Sequence, residues 1–374
     1  MLRIHQLLTC TVLATALTSG TAAGEPVVVT SGGPPHQPRQ PQLTVDESGA
    51  IHMAFGMNNT VLYCRSDDGK SFSSPVELPG EFVMSLGMRR GPRIAVAGDS
   101  ICISAIGGKQ GKGRDGDVLS YHSSDQGKTW HGPVRVNDAP DSAREGLHAM
   151  AGSQQGQACC VWLDLRSGKS EIYAATSADG GQTWGKNTRV YKSPDGSVCE
   201  CCHPSVTYDA SGKLQAMWRN SLGGSRDMYL ASSSDGGATF GKASKLGTGT
   251  WRLDACPMDG GHLAVSSKGS VFTTWRRDSE IIFATPGSKE QRLGVGRQPW
   301  IAATANDAYV LWLEDRTGRL LIQSPREGSA VELSAKANDP VIASAPGGVG
   351  PLVAAWEERP GKDTMLVAQV IAER

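Results

Sequence analysis

The sequence predicts an all-β propeller of seven four-stranded blades, with six as the alternative, closed into a ring by an N-terminal strand. Three observations carry this. An eight-residue pattern, S-x-D-x-G-x-T-W, recurs at 123–130, 177–184 and 233–240, with a weaker copy at 65–72 whose first serine is replaced by Arg65. Its aspartates, Asp67, Asp125, Asp179 and Asp235, are spaced 58, 54 and 56 residues apart, which suits one propeller blade per repeat. Beneath the boxes runs a longer series of strand triplets, and no segment carries a competing helical period.

Seven second strands are read at 51–55, 101–105, 158–162, 214–218, 271–275, 309–313 and 352–356. Third strands follow at 61–63, 118–120, 172–174, 228–230, 281–283, 320–322 and 365–367. Fourth strands such as 76–78, 134–136 and 188–191 come after the boxes. The last unit runs out of chain before its fourth strand, and 26–30, PVVVT, is expected to supply it, leaving no free sheet edge. The boxes themselves read as structural: Asp and Ser/Thr side chains bond back to nearby backbone, and glycine supplies positive φ. Trp162, Trp218, Trp275, Trp312 and Trp356 end second strands and are expected to pack between blades.

The 374 residues carry 37 Lys+Arg against 37 Asp+Glu, so no overall charge draws the chain to nucleic acid or an anionic membrane. Residues 1–23 read as a secretory signal, with Arg3, an apolar run at 7–17 and Thr21-Ala22-Ala23 for cleavage. The expected product is secreted or periplasmic, with 24–374 as a single propeller domain. No later stretch approaches the ~20 apolar residues that span a bilayer. Eight cysteines follow the signal, in a compartment that permits disulfides.

In such a ring the boxes share one face, while the loops from second to third strand and from one blade to the next share the other. That second face receives nearly all the chemistry: Arg89, Arg90, Arg93, the 109–117 loop, Glu145, His148, Asp164, Arg166, 199–203, Arg219, Arg226, 251–262, 276–278, Arg297, 314–316 and 357–359.

With its boxes, the chain resembles the sialidase superfamily. The resemblance implies a first carboxylate-clamping arginine in Gly91-Pro92-Arg93-Ile94, hence Arg93, and an acid/base aspartate in the loop before the next box, best matched by Asp115. It also implies further guanidiniums on an acidic glycan, with Arg90, Arg166, Arg219, Arg226, Arg276 and Arg277 as candidates, each able to pair with a carboxylate. Ala95 stands where the family has proline. The family's tyrosine nucleophile has no counterpart at the rim, because Tyr63, Tyr121, Tyr173, Tyr191, Tyr208, Tyr229 and Tyr309 all fall on strands. Binding of an acidic glycan, with or without hydrolysis, is what the resemblance implies.

The stretch Cys199-Glu200-Cys201-Cys202-His203-Pro204 and, one blade later, 251–262 with Trp251, Cys256, Met258 and His262 point elsewhere. Adjacent blades set these loops side by side, with His148 available from the preceding blade. Cys199, Cys201, Cys202, His203, Cys256 and Met258 form a soft donor set that suits copper(I) or zinc. The alternatives are a disulfide from Cys256 to one of the three loop cysteines, or a free reactive thiol. Cys64, Cys102, Cys159 and Cys160 read as buried and inert, and Trp251 and Trp300 as rim aromatics able to stack on a sugar. Three readings stay open: an acidic-glycan protein, a metal or redox propeller, and a non-catalytic binding scaffold.

Overall fold

The computed structural model describes residues 23–314, 318–348 and 350–372; residues 1–22 of the expected signal, and Asp315 and Arg316 of the rim, lie outside them. Seven antiparallel sheets form the seven blades, and the second strands run where the sequence places them. They are buried on both faces because each blade is covered by a neighbour on either side. Ala158–Asp164, for example, is buried at every position and so shows no inside–outside alternation. Trp162, Trp218, Trp312 and Trp356 are among the largest fully buried side chains, which bears out their packing role.

Closure is as expected. Val27–Gly32 pairs antiparallel with Thr364–Ala372 and completes the seventh blade. Blade two departs from the four-stranded plan: a short strand, Val83–Met84, joins the end of Ser100–Gly108 beside Arg93–Ala97.

The boxes act as braces. Ser123 Oγ donates to Asp125 (2.8 Å), while the Gly127 amide donates to Ser123 and the Thr129 amide and hydroxyl donate to Asp125. Gly181, at φ 86°, lies against the neighbouring blade, where a Cβ would meet Cys102 Sγ at 2.7 Å. The first box corrects the sequence reading. Ser66 and Asp68, not Arg65 and Asp67, make these bonds: Ser66 Oγ donates to Asp68, and the amides of Lys70 and Ser71 do the same. One residue has been lost between the serine and Gly69, whose amide still reaches Ser66 Oγ, so matching the aspartate by its distance from Phe72 slips by one.

The innermost strands, among them Arg93–Ala97, His148–Gly152, Ser205–Tyr208 and Gly261–Val265, surround a central cavity of about 360 Å³. Its wall includes the first hairpins of the blades, such as 153–155 and 266–267, so it opens toward the box face. Arg93, His262 and Trp300 line its inner end.

Candidate functional site

The loop 199–203 hangs between Thr188–Tyr191 of blade three and Ser205–Tyr208 of blade four. The Cys199 amide donates to the Arg219 carbonyl (3.1 Å), which pins the loop to the end of the next blade's second strand. Three sulfurs then converge: Cys199 lies 3.4 Å from Cys202 and 3.8 Å from Cys201, and Cys201 lies 4.0 Å from Cys202. Cys199 and Cys202 are buried, Cys201 is half-buried and Cys256 is exposed. Hydrogen bonds from Cys201 and Cys202 lower the Cys199 thiol, with the Arg219 guanidinium adding to the effect, while burial raises Cys202 well above the ordinary thiol range. Cys256 meets Cys201, which pushes it up to about 11.

The second wall belongs to Arg219, a fully buried side chain. Its Nε donates to the Asp259 carbonyl, Nη1 to the Arg226 carbonyl and Nη2 to the Arg276 carbonyl, tying the 251–262 loop to both blades. No disulfide forms among the described residues: all eight cysteines are free, so the expected bridge from Cys256 to the 199–202 loop is absent. Cys64, Cys102, Cys159 and Cys160 are buried as expected, and burial pushes Cys64 and Cys102 up to about 12.

The imidazoles do not join the thiols. His203 turns to the propeller axis and stacks at 5.6 Å from Trp300, and His262 stacks on Trp300 from 3.9 Å. Both ring nitrogens of His203 are buried without a partner, and burial with Arg89 nearby holds it well below the ordinary histidine range. His148 is buried against Ser104 Oγ at 3.0 Å. Met258 is exposed, in the left-handed region at φ 52°. Of the expected metal set, the structure therefore groups Cys199, Cys201 and Cys202, sets Cys256 beside Cys201, and directs His203 elsewhere.

The arginines are spread out and largely engaged. Arg93 is buried and donates to four backbone carbonyls: His148, Gly91, Pro92 and Arg89. Arg166 is held by Asp164, Asp138 and Asn187, and Arg277 by both oxygens of Glu290. Arg226 reaches Ser221 and the Ala255 carbonyl, and Arg276 the Asp278 carbonyl and Asp259. Arg90 donates through Nε to the Glu145 carbonyl at 2.7 Å. The Asp115 carboxylate accepts the Gln110 and Gly111 amides, which lower its pKa, the opposite of what a general acid needs. Trp251 and Trp300 are both buried, so neither is an open stacking platform; the Arg219 and Arg276 guanidiniums both lie over the Trp251 ring, at 5.1 and 5.3 Å from its centroid.

Three carboxyls on this face are raised instead: Glu145, Asp259 and Glu357, each through burial. Glu145 stood in the predicted rim, but nothing in its sequence context signals the desolvation.

The ring and its boxes define the class, a seven-bladed, box-bearing propeller, and a family profile described as BNR repeat-like domain matches residues 22–199. No curated protein matches the sequence. Among solved structures, a Dyadobacter fermentans protein of unknown function matches at TM-score 0.56 and 16% identity, over 94% of this chain and 98% of that one. An alpha-L-arabinofuranosidase of Fusarium graminearum, solved with an iminosugar inhibitor, matches at TM-score 0.56 and 12% identity, over 94% and 98%. A leech intramolecular trans-sialidase matches at TM-score 0.49 and 12% identity, over 86% and 65%. At these identities the likeness is one of fold, and function has to be argued from the site.

Proposed function

We propose that this propeller binds a thiophilic metal ion, copper(I) or zinc, on Cys199, Cys201 and Cys202. The observation that carries the reading is the spacing of the three sulfurs, 3.4, 3.8 and 4.0 Å. Thiolates sharing one ion at about 2.3 Å in tetrahedral geometry stand about 3.8 Å apart. Two buried thiols, a half-buried third and the Arg219 guanidinium, which offsets thiolate charge, suit a soft cation. Export through a signal at residues 1–23 belongs to the same proposal.

The test is metal content and thiol count on the full chain purified without chelator. About one ion per chain, abolished in Cys202→Ser, is the expected result. A metal-free protein that takes up neither copper(I) nor zinc overturns it.

A second reading, binding of a carboxylated sugar on the same face, is favoured by Arg90. Among the described residues its guanidinium makes one hydrogen bond, from Nε to the Glu145 carbonyl, which leaves its terminal nitrogens for a ligand. Loss of such binding in Arg90→Ala, with the metal content unchanged, would support this reading; unchanged binding would remove it.

A further inference from the structure

We infer that the thiol group is an exchange site for copper(I), loaded and unloaded through Cys256 by a carrier that presents the ion on thiolates. This rests on the metal-binding reading above. The tight group has three members: neither Cys256 nor a histidine belongs to it. Structural zinc sites take four protein ligands, whereas copper(I) is a soft ion suited to an all-sulfur set.

Accessibility is graded. Cys202 and Cys199 are 1% and 3% exposed, Cys201 is half-buried, and Cys256 is exposed on the 251–262 loop of the adjacent blade, which Arg219 ties to the thiol loop through the Asp259 carbonyl and the Cys199 amide. Exposure of the sulfurs thus rises from the buried pair through Cys201 to Cys256. Met258, two positions beyond Cys256, is 38% exposed.

The transfer involves no redox change. A copper–sulfur bond to the carrier breaks as a copper–Sγ bond to Cys256 forms, and the Cys256 proton passes to the released carrier thiolate. Cys201 then takes the ion from Cys256, which recovers a proton as Cys201 gives one up. Cys199 and Cys202 complete the set, and whatever thiol proton either still carries passes to solvent.

The experiment loads full-length wild type, Cys256→Ser and Met258→Ala with copper(I) supplied as its glutathione complex. Stopped-flow measures uptake, and competition with bathocuproine disulfonate measures affinity. The expected result for Cys256→Ser is uptake slowed at least about tenfold, with affinity within about threefold of wild type. An affinity loss of about a hundredfold with unchanged uptake would make Cys256 a fixed fourth ligand and overturn the inference, as would a variant unchanged in both. Wild type that holds zinc but refuses copper(I) defeats this inference alone. Wild type that holds neither defeats the metal reading with it.

Discussion

Gly260 lies directly against His203: a Cβ at position 260 would overlap the His203 carbonyl oxygen and stand 2.8 Å from its Nδ1. His203 follows Cys202, so the glycine one blade away sets how the thiol loop is seated. Gly260→Ala is expected to cost about 1–3 kcal/mol through overpacking. It should also weaken metal uptake, since the carbonyl is backbone and cannot swing aside. Urea unfolding and metal titration on the same variant check both. Wild-type stability would show that the loop yields freely.

Arg93 gives a prediction opposite to the one its motif implies. Its guanidinium serves four backbone carbonyls at the inner end of the central cavity and is 5% exposed. Arg93→Met strips those carbonyls of their donors and is expected to destabilise the fold by about 2–5 kcal/mol. The urea midpoint measures this. A variant of full stability that has lost only the binding of a carboxylated sugar would restore the clamp.

What could be read from the sequence divides along local and non-local lines. The boxes, the second-strand tryptophans and the 26–30 closing segment are local patterns, and the ring follows from counting them. The Cys199–Cys202 loop was visible because three cysteines in four positions must lie close whatever the fold. The direction of His203 is not legible locally, because it depends on Trp300 and Gly260, nearly a hundred and nearly sixty residues away. The arginines' surroundings are hidden for a similar reason: their partners at Asp138, Asn187 and Glu290, and a set of backbone carbonyls, are supplied by other loops. Asp115 makes a bond no pattern encodes, its carboxylate closing its own loop on Gln110 and Gly111.

Acid should loosen the boxes. Hydrogen bonds from Thr129 hold Asp125 down to about 2, Thr239 does the same for Asp235, and the Lys70 and Ser71 amides for Asp68. A folded pKa below the unfolded value of about 3.9 means the stabilisation is complete above that value. It is lost as pH falls through about 2. Urea midpoints between pH 7 and pH 2 should therefore fall on the acid limb. In Asp125→Asn the gap to wild type should narrow as pH drops through that window. A gap independent of pH would assign the loss to packing instead.

The ring closure supplies the last test. Val27–Gly32 pairs with Thr364–Ala372 in a register running from Val27 opposite Ala368 to Gly32 opposite Thr364, with one shift between Val28 and Thr30. Deleting residues 23–32 leaves the seventh blade with three strands and bares the edge of a nine-residue strand. An open edge of that length is a template for pairing with other chains. The deletion is therefore expected to lower the urea midpoint and to produce oligomers in sedimentation velocity. A synthetic peptide covering 25–32, added in excess, should pair with the bared edge and return the monomer. A deleted chain that stays monomeric at wild-type stability would mean the seventh blade is held by its neighbour, whose first strand, Arg297–Ala303, packs beside Asn338–Ala343. The closing strand would then be dispensable. The two outcomes separate a ring fastened at its seam from one fastened by its blade-to-blade core.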